Sequence, residues 1–278
     1  MRFVVERDVL AEAVAWVARS LPTRPVLPVL SGLLIQAAPD GLSLACYDYE
    51  VSARIAVPAE VTEAGIALVP GRLLAEITRS LPALPVEVGE ADDDSGDLVL
   101  TCGPASFSLV TLPLREYPPL PELPRLAGTV DGGALATAIG QVTPAASRDD
   151  TLPVITGVNV EIEGDLITLV ATDRYRLAIR ELSWSPAEPE PGPGARSTLL
   201  VPAKTLADAA RMMTPGVPVR IMLHAGGPAK AGGSSRATDP AGSPRAADAM
   251  IGFETGERRL TTRLIAGEYI KYSSKFPG

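Results

Sequence analysis

The residues best equipped for chemistry in this chain stand together at Thr172-Asp173-Arg174-Tyr175-Arg176. A hydroxyl, a carboxylate, two guanidiniums and a phenol can recognise a polar or anionic group. They lack a nucleophile–base pair, and no phosphate-cradling glycine loop accompanies them. A second group is cationic and paired. Arg72 and Arg79 lie seven residues apart, as do Lys204 and Arg211. On a helix that spacing returns a side chain to within about 20° of the first, so each pair shares a face. Such cations suit phosphates better than catalysis. His224 is the only histidine, and it reads as a surface or strand residue. Asp149-Asp150 could attract a cation, but no further ligand spacing supports a metal site. Cys46 and Cys102 sit in apolar runs without a CxxC spacing and read as buried structural thiols. No catalytic residue, metal site or cofactor motif emerges.

The elements that position these residues are duplicated. Leu166 to Leu182 reads as two short strands around the polar knot, with Leu166, Leu169, Leu177 and Ile179 on apolar positions. A weaker copy runs from Leu42 to Ile55, where Asp48 matches Asp173 at an offset of 125. At the same offset Leu27-Pro28-Val29-Leu30-Ser31-Gly32 matches Leu152-Pro153-Val154-Ile155-Thr156-Gly157. Leu68-Val69-Pro70-Gly71-Arg72 matches Leu200-Val201-Pro202-Ala203-Lys204 at an offset of 132, which also pairs Arg79 with Arg211. Agreement in order, type and spacing predicts two copies of one α+β fold: helix, hairpin strands, helix, further strands.

In the first copy, Met1 to Val5 reads as a strand. Asp8 is expected to cap a helix reaching about Ser20, striped by Leu10, Val14, Val17 and Leu21. Leu27 opens an apolar strand. A second helix from Gly71 carries Leu73, Leu74, Ile77 and Leu81 on its inner face, and the segment from Tyr117 to Pro124 reads as a stiff proline-rich linker. In the second copy a helix is expected from Gly132 to Val142. Residues 225–250, rich in Gly, Ala, Ser and Pro, read as a disordered loop inside a hairpin. Gly267-Glu268-Tyr269 echoes Arg115-Glu116-Tyr117. The expected domains are 1–124 and 125–278.

Composition bounds the function. Apolar residues make up 46% and aromatics 4%, so the cores must rest on aliphatic side chains. A net charge of −8 argues against a simple nucleic-acid binder but leaves room for one basic face on an acidic body. The start, MRFVVERD, is too charged for a signal peptide, and no apolar run is long enough to span a membrane. A soluble cytoplasmic protein is expected.

The order VERDVL, LPTRPVLPVLSGLL, LSLACYDYEVSA, LVPGRLLAEITRSLP and FSLVTLPLREYPPLP, followed by RDDTLPVITGV, ATDRYRLA and VPAKTL, resembles the bacterial DNA polymerase III β sliding clamp, actinobacterial type. The resemblance covers the chain outside residues 225–250. It implies the DNA clamp fold, with helices on one face of antiparallel sheets. The implied role is that of a non-catalytic accessory subunit that surrounds duplex DNA without reading sequence, tethers DNA polymerase III for processivity, and self-associates into a ring. It places Arg24, Arg72, Arg79, Arg148, Asp149, Lys204 and Arg211 towards DNA. It places Ile155, Thr172, Arg174, Tyr175, Arg176 and Leu177 in a pocket for short linear peptides of the polymerase, the clamp loader and repair proteins. No cofactor is implied. Asp149 is an acid where a DNA contact is expected, and Arg176 could instead pair with Asp173 to brace the turn. Family members carry three copies of the fold, whereas two are read here and the third clamp domain is absent. A pocket proline is expected near Ile270. A truncated or divergent two-domain paralogue, binding clamp-binding peptides without closing a ring, stays open as the alternative.

Overall fold

The duplicated motifs fold alike. The computed structural model describes residues 1–91, 96–188, 196–223, 249–270 and 272. His224 and nearly all of the 225–250 loop lie outside them. The chain divides into one unit of Met1–Glu122 with Gly256–Leu260, and a second of Leu123–Thr255 with Thr261–Gly278.

In the first unit the elements are β1 (Arg2–Val5), α1 (Arg7–Ala18), β2 (Gly32–Ala38), β3 (Gly41–Tyr47), β4 (Val51–Val57), β5 (Glu60–Glu63), β6 (Gly65–Pro70), α2 (Gly71–Ser80), β7 (Val86–Glu90), β8 (Leu98–Cys102) and β9 (Ala105–Leu109). Two antiparallel arrays result, β6-β2-β3-β4 and β5-β1-β7-β8-β9. Helices α1 and α2 pack on each other, and α1 covers β3 and β4. The expected stripe of α1 is buried at Leu10, Val14, Val17 and Leu21. Cys46 and Cys102 are free and buried.

The second unit contains β10 (Arg125–Asp131), α3 (Gly132–Val142), α4 (Pro153–Thr156), β11 (Gly157–Glu163), β12 (Leu166–Thr172), β13 (Leu177–Ser183), β14 (Ser185–Pro186), β15 (Arg196–Pro202), α5 (Ala203–Ala210), β16 (Pro218–Leu223) and β17 (Met250–Thr255). Its sheet β15-β11-β12-β13 repeats β6-β2-β3-β4 strand for strand. The registers agree as well: Gly32 faces Pro70, and Gly157 faces Pro202. A side chain at Gly32 would lie 2.6 Å from Leu68 Cδ1, and one at Gly157 2.8 Å from Leu200 Cδ1. At Gly32 the Val29 carbonyl, 2.9 Å away, also bars a side chain, whereas at Gly157 the leucine and Ile265 would have to shift to admit one.

Several local expectations need correction. Asp8 does not cap α1. Glu6 holds that position without a side-chain cap, and Asp8 lies inside the first turn, paired with Arg7 at 2.6 Å. Residues 28–31 form a 3₁₀ turn, because Pro28 suits a first helical position and Ser31 Oγ donates to the Pro28 carbonyl at 2.7 Å. The copy forms an α turn with the same side-chain bond: in α4, Thr156 Oγ1 donates to the Pro153 carbonyl at 2.7 Å. Leu73 is exposed, and the buried face of α2 is Leu74, Ile77 and Thr78. In the second hairpin Leu169 is buried, but Leu166 and Ile179 face outward, and Ile167 and Ala171 complete the inner row. That follows from the two-residue period of a strand. The proline-rich segment is more than a linker. Tyr117 packs with Val29, Leu30, Tyr47 and Leu68, and Leu120 lies against them. The Tyr117 hydroxyl accepts the buried Tyr47 N–H at 2.7 Å.

Candidate functional site

The polar knot is a turn closed by its own side chains. Thr172 ends β12, donates from Oγ1 to the Arg176 carbonyl at 2.6 Å, and accepts the Arg174 N–H at 3.1 Å. Asp173 Oδ1 accepts the N–H groups of Tyr175 and Arg176, each at 3.0 Å. Those bonds, Arg176 first, hold the Asp173 carboxyl below its ordinary value. Asp173 Oδ2 receives Arg176 Nε at 2.9 Å, so Arg176 does brace the turn. Arg174 takes φ +80°, a left-handed conformation costing a non-glycine residue about 1–2 kcal/mol. The first unit repeats the device. Tyr49 has φ +74°, and Asp48 Oδ1 accepts the N–H groups of Glu50 and Val51 at 3.0 and 2.8 Å.

This turn brings Thr172, Arg174, Tyr175, Arg176 and Leu177 together. Thr172 is buried, Leu177 half-buried, and Tyr175 94% exposed, so an aromatic face is offered to solvent. Arg174 has no ion-pair partner among the described residues. Ile155, 4% exposed, lies within α4, two residues before the neighbouring strand β11 begins. Its carbonyl accepts the Ser147 N–H at 2.8 Å, which ties off the loop carrying Arg148 and Asp149.

Within that loop Arg148 is exposed, but Asp149 is engaged locally. Its Oδ1 accepts from Thr151 Oγ1 at 2.6 Å and from Thr151 N–H at 3.0 Å. The Thr151 hydroxyl is the main cause holding its carboxyl below the ordinary range, and the Arg174 charge adds a smaller push in the same direction. This acid therefore explains itself as a loop brace.

The cations are placed less uniformly than their spacing predicts. Arg24 is exposed in the connection after α1. Arg79 is exposed in the last turn of α2, where its charge complements the helix dipole. Arg72 is exposed too, yet its Nη2 donates to the carbonyls of Leu21 and Pro22 at 3.1 and 3.4 Å. Lys204 is exposed in the first turn of α5. Arg211 caps α5 rather than lying within it, and faces Asp208 at 3.9 Å. The acids of α1 are neutralised locally, Asp8 by Arg7 and Glu12 by Arg258, whose guanidinium also lies 5.9 Å from the Trp16 ring centre.

The resemblance expects a pocket residue near Ile270, but sequence reasoning did not bring the rest of the segment after residue 263 to this region. Gly267 passes against Val154, Tyr269 reaches Thr172, and Tyr272 bonds Glu161. The available signal was the Glu-Tyr echo of 116–117. Among the described residues no group of three or more His, Cys, Asp and Glu could hold a metal ion, and no helix is long and apolar enough to cross a membrane.

A repeated unit of helix pairs on antiparallel sheets, with exposed cations at matching helix positions, defines a protein of the DNA clamp fold. The profile of the DNA polymerase III β subunit N-terminal domain matches residues 1–121, and that of its central domain matches residues 129–271. The chain belongs to the DNA polymerase III β subunit family, the β sliding clamps, and its role is that of a processivity factor in DNA replication. It is 50% identical over its whole length to the β sliding clamp of Streptomyces coelicolor and spans 67% of that protein. It is 48% identical to the β sliding clamp of Micrococcus luteus and spans 80% of it. The crystal structure of the Pseudomonas aeruginosa sliding clamp bound to griselimycin superimposes with a TM-score of 0.82 at 27% identity, covering all of this chain and 68% of that one.

Proposed function

We propose that the chain engages duplex DNA through Arg24, Arg72, Arg79, Arg148, Lys204 and Arg211, without base readout. In the same reading Ile155, Thr172, Arg174, Tyr175, Arg176 and Leu177 receive short linear peptides of DNA polymerase III, the clamp loader and repair proteins. The observation that supports the DNA reading best is the recurrence of exposed cations after the same Val-Pro step in two copies of one fold, at Arg72 and Lys204. Long cationic side chains on helix surfaces meet phosphates, through water where needed, and phosphate contacts carry no sequence information. Asp149 is a brace for its loop in this reading rather than a DNA contact.

The peptide reading rests on a half-buried apolar position beside an exposed aromatic ring and a cation. Such a site takes an apolar anchor and a neighbouring carboxylate. Because Asp173 holds Arg176, Arg174 is the cation offered to a ligand. A clamp works by tethering, so the chain carries no turnover of its own and acts with further copies of itself. The test is equilibrium binding to two duplexes of unrelated sequence across a range of salt. Equal affinities that fall steeply with salt are expected. A preference for one sequence, or affinity indifferent to salt, would overturn the reading.

A further inference from the structure

The segment from Leu264 to Ile270, with Tyr272, is pinned across the second unit's candidate peptide site. The Leu264 N–H donates to the Ala249 carbonyl at 2.9 Å, and the Ile265 N–H to the Leu200 carbonyl at 2.8 Å. At Gly267, with φ +137°, a side chain would lie 2.9 Å from Val154 Cγ2. The backbone therefore passes directly over the residue preceding Ile155. Burial pushes the Tyr269 phenol up to about 12, opposed by the Thr172 backbone beside it, although its hydroxyl makes no hydrogen bond of good geometry. Ile270, 39% exposed, follows this anchor. Tyr272 Oη then donates to Glu161 Oε2 at 2.8 Å. Glu161 is 8% exposed on β11, and its Oε1 accepts from Asn159 Nδ2 at 2.9 Å.

The internal repeat shows that this polar anchor is particular to the second unit. At the offset of 125, Asn159 and Glu161 correspond to Leu34 and Gln36. At the offset that aligns Tyr269 with Tyr117, Tyr272 corresponds to Leu120. In the first unit Leu34 and Leu120 pack against one apolar cluster. The second unit replaces that apolar seat with a carboxylate, an amide and a phenol. A buried carboxylate is costly unless it is hydrogen-bonded, so the replacement needs its partners.

We propose that Tyr272 and Glu161 form a latch that holds the 264–270 segment beside Ile155 and Thr172, making both positioning residues for peptide binding. The latch rests on the peptide-site reading above. With it closed, Ile270 stands fixed between two anchored tyrosines as an apolar wall of the site. With it open, the segment keeps its attachments at Leu264, Ile265, Gly267 and Tyr269 but loses the bond beyond Ile270, and the wall loses its place.

The test uses the whole chain and a short fluorescein-labelled peptide with two large apolar side chains and a neighbouring carboxylate. Affinity is read by anisotropy, duplex-DNA affinity is read in parallel, and hydrogen exchange follows residues 266–270. Tyr272→Phe is expected to weaken the peptide about tenfold, as loss of one charge-assisted bond implies. It should speed exchange in 266–270 and leave DNA affinity unchanged. Glu161→Gln keeps an acceptor for the phenol and should stay within about threefold of wild type. Tyr272→Phe binding peptide as wild type does would overturn the latch alone. An equal loss of peptide and DNA affinity in both variants would also overturn it, since that marks general destabilisation. A wild-type chain that fails to bind the peptide would overturn the site reading on which the latch depends.

Discussion

Arg79→Ala tests the phosphate reading most directly, because Arg79 makes no specific side-chain bond among the described residues beyond complementing the α2 dipole. It is exposed, and among the described residues it has no ion-pair partner. Each phosphate neutralised on duplex DNA adds about 0.9 to the slope of log affinity against log salt, so losing one contact should flatten the slope by about that amount. Between about 50 and 200 mM salt this changes the affinity ratio about three- to fourfold. Arg72→Ala should flatten the slope similarly but also lower thermal stability, because its guanidinium holds the Leu21 and Pro22 carbonyls after α1. Arg72→Lys separates the two effects by keeping the charge while losing the two-carbonyl geometry. Asp208→Asn should steepen the slope by releasing Arg211 from its acid. The assay is fluorescence anisotropy on a labelled duplex at several salt concentrations, with circular dichroism to confirm folding. A slope unchanged in folded Arg79→Ala would refute the assignment of that helix face to DNA. A slope unchanged in Asp208→Asn would refute the assignment of Arg211.

Three further outcomes follow from the geometry. Tyr117→Phe strips the partner from the buried Tyr47 N–H and should cost the first unit about 1–3 kcal/mol, read by urea unfolding. The Cys46 thiol, pushed up to about 12 mainly by burial, should resist alkylation at pH 8 until the chain unfolds, which a timed thiol-reagent assay with and without denaturant would show. Asp149 and Asp173 both titrate below their ordinary value of 3.8 in the folded chain. Their bracing is therefore complete above that value and lost as pH falls through the lower folded values. The protection of the amides in residues 172–177, with the base-catalysed intrinsic exchange rate divided out, should fall only in that acidic window and stay constant with pH near neutrality.

What the sequence determined by itself is the duplication and the local chemistry of short stretches. Helix α3 is legible from Gly132 to Val142 because its apolar period runs through Val142, and the structure adds Asp131, which accepts the Ala134 N–H as its cap. The polar knot is legible because an aspartate between two apolar strand patterns favours a turn in which its side chain accepts the backbone N–H two residues on. Matching offsets then carry one unit's reading to the other, and the paired 3₁₀ and α turns at Pro28 and Pro153 obey them.

Tertiary structure decided which groups were already occupied. Nothing local distinguishes Arg79 from Arg72, yet among the described residues one has no ion-pair partner and the other is bound to carbonyls about fifty residues away in sequence. Tyr117 looks like a linker residue until Tyr47 offers it an N–H from a strand seventy residues earlier. Glu161, within a strand that is otherwise nearly all buried, makes sense only once Tyr272 arrives from the far end of the unit. Propensity and spacing act over a few residues. Hydrogen-bond satisfaction and burial act between segments distant in sequence, and those determine which side chains remain available for DNA or peptide.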